Sequence, residues 1–511
     1  MALPVSDHRV QPIDVPVYIA GCFEPSASDR RGDVFNPSTG FVQARVPLCT
    51  AEEVDRAVLA AAAAIAAWSE TPAVERARVM FRFRERLQAR FEELAALVTR
   101  EHGKTISEAR AEMQRGIEMV EFSCGIPSLL MGQSLENLAP NVDCQTNRHP
   151  VGVCVGITPF NFPSMVPLWM FPVALTCGNT FVLKPSEKVP LSAMKFAELL
   201  AESGLPEGVF NIVHGDKTAV DALLTHPLVR AISFVGSTSV ARHIYETGTA
   251  HGKRVQAAGG AKNHLIIMPD ADVEQAVKAI QASAFGCAGE RCMAGSLAVP
   301  VGRIADDVVE GLCRAGQRMK VGATDGGAEV DMGPLINAAH RDRVASYLDV
   351  ARSEGAEVAL DGRSFDLPRD GFLLGPSVVD RVRSDMRLAR EEVFGPVLSV
   401  MRADDLDEAL ALGQDCEYGN GACIFTQSGY AAREFQRRFN AGMIGINVGV
   451  PAPMAWFPFT GWNKSFFGDL HIQGTEGVQF YTQQKLTMTR WFRSAKESHA
   501  DPIWKPKQGE A

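Results

Sequence analysis

Between residues 151 and 268 the sequence repeats one pattern, a short apolar run followed by a helical stretch. The runs fall at 151–157, 180–183, 209–213, 231–235, 254–257 and 264–268. Helical segments separate most of them, among them 191–203, ended by Gly204, and 217–224. Most runs read as continuous Val, Ile, Leu and Phe rather than as apolar–polar alternation. Strands buried on both faces read this way, and they occur in parallel sheets covered by helices on each side. The fold class predicted is therefore α/β, with an open, doubly wound sheet.

A second series follows: strands at 295–301, 357–360, 397–402 and 443–447, and helices at 304–320, 338–354, 404–413 and 429–440. It predicts a second α/β domain. Upstream, residues 1–49 read as a polar lead-in with short strands. Thr50 and Glu53 form a capping box that opens a helix to about Trp68. A longer helix is expected over about 73–102, stopped by Gly103, and Thr105 with Glu108 caps a third, to about Cys124. Residues 125–150 and 475–490 fit neither series, and the polar tail after Lys496 is expected to be loosely ordered.

The formal net charge of −9 argues against a nucleic-acid or anionic-membrane partner. The 11 cysteines are odd in number, scattered and without a CxxC pair, so neither a zinc site nor a disulfide framework is predicted. The first residues lack a basic n-region and apolar h-region, and no 18-residue apolar span occurs. A cytoplasmic protein is expected.

Chemistry concentrates at the ends of the apolar runs. Phe285-Gly-Cys-Ala-Gly-Glu-Arg-Cys-Met-Ala294 places Cys292 in a glycine-punctuated turn beside Arg291. A thiol is nucleophilic as thiolate, and a neighbouring cation is expected to lower its pKa. Thr158-Pro-Phe-Asn-Phe-Pro163 follows the first run, where open α/β sheets bind ligands, so the Asn161 amide could donate to an oxyanion or simply form an Asx-turn. Lys184 and Glu187, with Lys188, end the second run and could meet ribose hydroxyls or a phosphate. Gly236-Ser237-Thr238 precedes a helix and suits an anion, although no GxGxxG occurs. Glu392 and Phe394 could hold a ribose and a flat ring, and the aromatic, proline-rich stretch 451–462 suits a tunnel wall.

In this order the pieces resemble the aldehyde dehydrogenase superfamily over about residues 16–490, and within it the CoA-acylating methylmalonate-semialdehyde dehydrogenases. The resemblance rests on PFNFP (159–163), 170–191, SFVGST (233–238), GAKNH (260–264), FGCAGERCMA (285–294), EEVFGPV (391–397) and 445–471. It implies an NAD-binding domain over 16–124 and 146–258 and a catalytic domain over 259–459. It also implies a small bridging oligomerisation element over 125–145 and 475–495, in a homotetramer. By position Cys292 matches the nucleophile, and Asn161 with the Cys292 backbone N–H matches the oxyanion hole. Lys184, Glu187 and Ser237 match adenosine and phosphate contacts. Thr158, Phe160, Lys188 and Gly259 belong to the same NAD site, and Glu392 with Phe394 matches the nicotinamide-ribose contact.

Hydrolytic members carry a water-activating glutamate four residues before the lysine that is Lys262 here; this chain has Ala258, and no carboxylate lies between Glu246 and Asp270. Without a base, the thiol of coenzyme A becomes the better nucleophile toward a thioester. Arg115 and Arg291 match the pair with which such enzymes hold a substrate carboxylate, a task suited to guanidinium geometry. The chain departs from the usual patterns at Ala241, Ala258, Gly259, Cys287 and Gly295, and Cys287 with Cys292 could pair on oxidation. The expectation is NAD-dependent oxidation of methylmalonate or malonate semialdehyde to an acyl-CoA with decarboxylation. A hydrolytic aldehyde dehydrogenase and a catalytically silent relative stand as rivals.

Overall fold

The computed structural model describes residues 11–326 and 329–492, so the tail after Lys496 and residues 493–495 of the expected bridging element lie outside the described residues. Five of the six runs in the first series build five parallel strands, in the spatial order Arg254–Ala258, Val229–Val235, Val153–Ile157, Thr180–Lys184 and Phe210–Ile212, whereas the sixth, expected at 264–268, is the strand Asn263–Ile267 of the second sheet. Antiparallel edges close both sides, Phe466–Phe467 at one end and Val17–Ile19 with Cys22–Glu24 at the other. The strands are mostly apolar on both sides because each face meets its own core. Phe181 and Leu183 enter one cluster while Val182 enters the other. The direction of strand succession reverses at Val153–Ile157, which makes the gap between its carboxyl end and that of Val229–Val235 the switch point of the sheet.

The second sheet runs Glu357–Leu360, Ser377–Asp380, Val397–Val400, Gly295–Pro300, Asn263–Ile267, Gly421–Phe425 and Met443–Ile446, parallel except for its first strand. It carries a separate core. A third sheet joins Ser134–Ala139, Val142–Pro150 and Thr482–Arg490, bringing together two segments that the sequence patterns left unassigned. Ile126, by contrast, is fully buried in the core of the first domain.

Both capping boxes form, Thr50 opening Ala51–Glu70 and Thr105 opening Ile106–Cys124. The single helix expected over 73–102 is two, Ala73–Ala89 and Phe91–His102. Arg90 leaves helical geometry between them (φ −108°, ψ 22°), and its guanidinium reaches Glu198 and Glu202 on the helix Leu191–Glu202. The helix Met165–Thr176 escaped the sequence patterns; its residues after Met165 are all buried, so it carries no amphipathic period. No single helix among the described residues is long and apolar enough to cross a membrane.

Candidate active site

The carboxyl edge of the first sheet faces the amino edge of the second, and the candidate residues collect along that seam. The helix Val273–Phe285 ends at Gly286, after which Cys287, Ala288 and Gly289 all take positive φ (50°, 51° and 72°). This tight loop lifts Cys292 to the start of the strand Gly295–Pro300. Gly289 is required for a second reason: a Cβ there would lie 2.2 Å from the carbonyl oxygen of Gly395. Two amides then clamp the nucleophile loop. Asn263 Nδ2 donates to the carbonyls of Cys292 (2.9 Å) and Ala294 (2.8 Å), and Asn420 Nδ2 donates to Cys292 O (2.9 Å).

Asn161 reaches the same loop from the first domain. It is buried, and its Nδ2 donates one hydrogen to the carbonyl of Glu290 at 2.9 Å, which leaves the other amide hydrogen for a ligand. Its backbone carbonyl accepts from Lys104 Nζ at 2.7 Å, and Lys104 also donates to Glu112 Oε2 at 2.6 Å. Glu112 Oε1 accepts from the N–H groups of Ser164 (2.8 Å) and Met165 (3.0 Å), capping the buried helix that follows. A fully buried ion pair thus pins the loop that carries the amide.

Cys292 opens on two sides. One is a cavity of about 380 Å³ lined also by Arg115, Arg291, Trp169, Cys287 and Phe459. Arg291 lies deep in it and donates to Glu108 Oε1 at 3.2 Å, whereas Arg115 is exposed at the rim beside Glu118 (3.1 Å). Ala452, Pro453, Ala455 and Phe459 line the wall, while Trp456, Phe457 and Trp462 of the same stretch face outward. The other side is a narrow cleft shared with Glu392 and Phe394. Glu392 Oε1 accepts from Ala261 N at 3.0 Å, and burial pushes its carboxyl up to about 7.

The expectation that Arg291 brings the thiol pKa toward neutrality is overturned. Burial pushes the Cys292 thiol up to about 12, Glu392 adds to the rise, and Arg291 offsets only a little. The guanidinium is turned toward Glu108 and the carbonyl of Ala282 instead. The thiol is therefore protonated at neutral pH until a ligand changes its surroundings.

The remaining candidates line the carboxyl edge of the first sheet. Thr158 N donates to Lys184 O (3.2 Å), Lys184 Nζ reaches Glu187 Oε2 (3.4 Å), and Lys188 Nζ stands 4.7 Å over the Phe160 ring. Phe160 meets Phe394 edge-on at 5.8 Å across the seam. Ser237 heads the helix Thr238–Ala250, exposed and with its hydroxyl unused by the cap. Gly259 N donates to Ser465 O and Gly260 N to Thr238 Oγ1, each at 2.8 Å. A Cβ on Gly260 would lie 2.5 Å from Glu392 Oε2, so a larger residue in the floor would push that carboxylate aside. A free hydroxyl at a helix start, a lysine–carboxylate pair at a strand end and a glycine floor together fit a dinucleotide.

Several residues here escaped the sequence reading. Glu108 was legible only as a capping residue, yet its Oε1 also accepts from Cys287 N (2.6 Å) and Arg291. Asn263 and Glu290 stood inside noted motifs without a role, and Lys104, Glu112 and Asn420 carried no local signal. Among the described residues no group of three or more His, Cys, Asp or Glu could hold a metal ion.

The profile of the aldehyde dehydrogenase family matches residues 23–487. The chain is 50% identical over 476 residues to a malonate-semialdehyde dehydrogenase of Halalkalibacterium halodurans, covering 93% of this chain and 98% of the relative. A malonate-semialdehyde dehydrogenase of Geobacillus kaustophilus is 52% identical over 475 residues, 93% of this chain and 97% of that one. The crystal structure of a methylmalonate-semialdehyde dehydrogenase from Oceanimonas doudoroffii superposes with a TM-score of 0.92 at 47% identity, over 94% of this chain and 99% of that chain. A Sinorhizobium meliloti protein described as a methylmalonate-semialdehyde dehydrogenase, complexed with NAD, gives 0.93 at 45% identity, over 96% and 100%. With its nucleophile loop, its amide donor and its cofactor edge in this arrangement, the chain belongs to the aldehyde dehydrogenase family.

Proposed function

We propose that the chain oxidises methylmalonate and malonate semialdehydes with NAD and transfers the acyl group, after decarboxylation, to coenzyme A. The observation that carries the CoA-acylating part is Ala258, a buried methyl at the end of the strand Arg254–Ala258 where a hydrolytic member holds its water-activating carboxylate. The names and the NAD complex of the relatives support the substrate class and the cofactor.

When bound along the carboxyl edge, NAD accepts the hydride. Lys184, Glu187 and Ser237 would hold its adenosine and phosphates, with Thr158, Phe160, Lys188 and Gly259 around them and Glu392 and Phe394 at the reactive end. Once ligands change its surroundings the Cys292 thiol gives up its proton to solvent, its sulfur adds to the aldehyde carbon, and the free hydrogen of Asn161 with the Cys292 N–H stabilises the oxygen. Loss of hydride leaves an acyl thioester on Cys292. Arg115 and Arg291 orient the substrate carboxylate within the cavity. The thioester carbonyl takes up electron density as carbon dioxide leaves, and protonation of the enolate gives the propionyl or acetyl thioester. The thiol of CoA displaces it and restores Cys292.

The third sheet presents Leu135, Leu138, Leu486 and Met488 to solvent, each about half exposed or more. We assign this apolar face to subunit contact in a homotetramer, within a cytoplasmic enzyme. The decisive assay follows NADH from methylmalonate semialdehyde with and without CoA and identifies the product by mass. Multiple turnovers only with CoA, giving propionyl-CoA, support the proposal. Equal turnover without CoA, giving a free acid, moves the chain to the hydrolytic class.

A further inference from the structure

One helix reaches both guanidiniums of the substrate cavity. Ile106–Cys124 carries Glu108 in its first turn and Arg115 seven residues on, two turns later and about 10 Å along the axis. Arg115 stands at the rim, whereas Glu108 meets Arg291 deep in the cavity. Glu108 Oε1 accepts from Arg291 Nη2 at 3.2 Å and from the Cys287 N–H at 2.6 Å, so one oxygen holds both the guanidinium and the turn behind it. Glu108 Oε2 accepts from Thr105 N and Thr105 Oγ1, each at 3.0 Å, which anchors the carboxylate to the helix start. The side chains of Arg291 and Glu108 keep only 22% and 15% of their exposure, so water screens the pair weakly.

Gly286 completes the seat. Its backbone (φ −59°, ψ 141°) is one that any residue adopts, yet a Cβ there would lie 2.4 Å from Arg291 Nη1 and 2.6 Å from its Cζ. The missing side chain therefore serves the guanidinium laid against it. Arg291 Nη1 also donates to Ala282 O at 3.3 Å. Of the five N–H groups of a guanidinium, the oxygens of Glu108 and Ala282 take two, and others remain for an anion in the cavity that holds Cys292.

We propose that Glu108 and Gly286 are positioning residues for aldehyde selection, seating Arg291 so that its guanidinium receives a carboxylate inside the cavity. This rests on the reading of Arg291 as a receptor for the substrate carboxylate. Bidentate capture needs the guanidinium plane fixed in advance, and an aldehyde without a carboxylate gains nothing from it. Glu108 also repels the arriving carboxylate, so orientation and charge act in opposite directions at this residue. Glu108→Gln separates them: the amide oxygen can still accept from Cys287 and Arg291, its NH2 can donate to Thr105 Oγ1, and the negative charge is gone.

The test compares kcat/KM for malonate semialdehyde with kcat/KM for propanal, which has a methyl where the carboxylate stands, at saturating NAD and CoA. The ratio of the two cancels whatever a loosened nucleophile loop costs both substrates. Glu108→Ala and Gly286→Ala should each lower that ratio by about tenfold to a hundredfold, the scale of a lost charge-assisted contact, while Glu108→Gln keeps it within about threefold of wild type or raises it. Arg291→Gln should lower the ratio too, and adding Glu108→Ala to it should lower it no further, because Glu108 acts through Arg291. An unchanged or raised ratio in Glu108→Ala or Gly286→Ala, or a further fall in the double variant, would overturn the proposal. Should Glu108→Ala fail to fold, Gly286→Ala decides, since it moves the guanidinium without touching the helix cap. An unchanged ratio in Arg291→Gln refutes the receptor reading and the proposal with it; a fallen ratio there beside unchanged ones in the other two refutes the seat alone.

Discussion

Replacing Lys104 by Met tests how the amide loop is held. Both side chains of the Lys104–Glu112 pair are completely out of contact with solvent, and their charged atoms lie 2.6 Å apart. Lys104 also donates to Asn161 O and stands 4.1 Å from the centre of the Phe162 ring, so no polar contact of the ammonium is with water. Met keeps the stem and removes the charge, leaving Glu112 buried with the N–H groups of Ser164 and Met165 as its partners. Breaking one side of such a pair costs about 3–5 kcal/mol. For a cooperative unit of about 250 residues this lowers Tm by roughly 6–10 °C. Glu112→Gln strands the ammonium in the same way. The double variant strands neither, so its Tm should lie above both singles, with a coupling of about 2 kcal/mol or more.

The same cycle reads out function. Loss of the Lys104 bond frees the carbonyl of Asn161, and the NADH burst of Lys104→Met should slow by about tenfold to a hundredfold. The double variant regains stability but not the Lys104 bond, so its burst should remain slow. Thermal melts and stopped-flow NADH absorbance on the four proteins settle both points. Additive losses in Tm, or a double variant that recovers the burst along with the stability, would refute the account of Lys104 as the pin of the amide loop.

Two further outcomes follow from the site. With burial pushing the Cys292 thiol up to about 12, iodoacetamide should modify the ligand-free enzyme slowly at pH 7 and ever faster up to pH 10, because thiolate accumulates only as pH approaches the raised value. A plateau near neutrality, followed by mass spectrometry of the Cys292 peptide, would contradict it. Arg115→Gln removes the rim guanidinium without touching the thiol; KM for a carboxylated semialdehyde should rise by about tenfold to a hundredfold while KM for propanal stays put. Equal changes for the two aldehydes would show that Arg115 only shapes the rim.

What the sequence showed and what it hid have the same physical origin. Val153–Ile157 and Thr180–Lys184 were legible because both faces of a parallel strand are buried, and a continuous apolar run such as Phe181-Val-Leu183 has few other solutions. Met165–Thr176 is also buried all round, with Pro167 and Pro172 in it, so a helix there leaves no period to find. Short strands such as Gly421–Phe425 and Ser377–Asp380 lie inside glycine- and proline-rich surroundings and resemble loops. Capping boxes, whose partners are three residues apart, were read correctly at Thr50 and Thr105.

The site divides along the same line. Cys292, Asn161, Glu392 and Ser237 stand at ends of strands or starts of helices, positions that a sequence declares. Their supports are set by contacts between distant segments: Asn161 meets Glu290 across 129 residues, and Cys287 meets Glu108 across 179. Arg291 shows why chain proximity misleads. It adjoins Cys292 in sequence, yet its guanidinium serves Glu108, and the burial that the loop imposes on the sulfur outweighs a charge aimed elsewhere. A reactive thiol in this protein is thus a property of the assembled seam rather than of the Arg-Cys dipeptide. Substitutions at Glu108 or Lys104, far from Cys292 along the chain, should disturb its chemistry more than their sequence positions suggest.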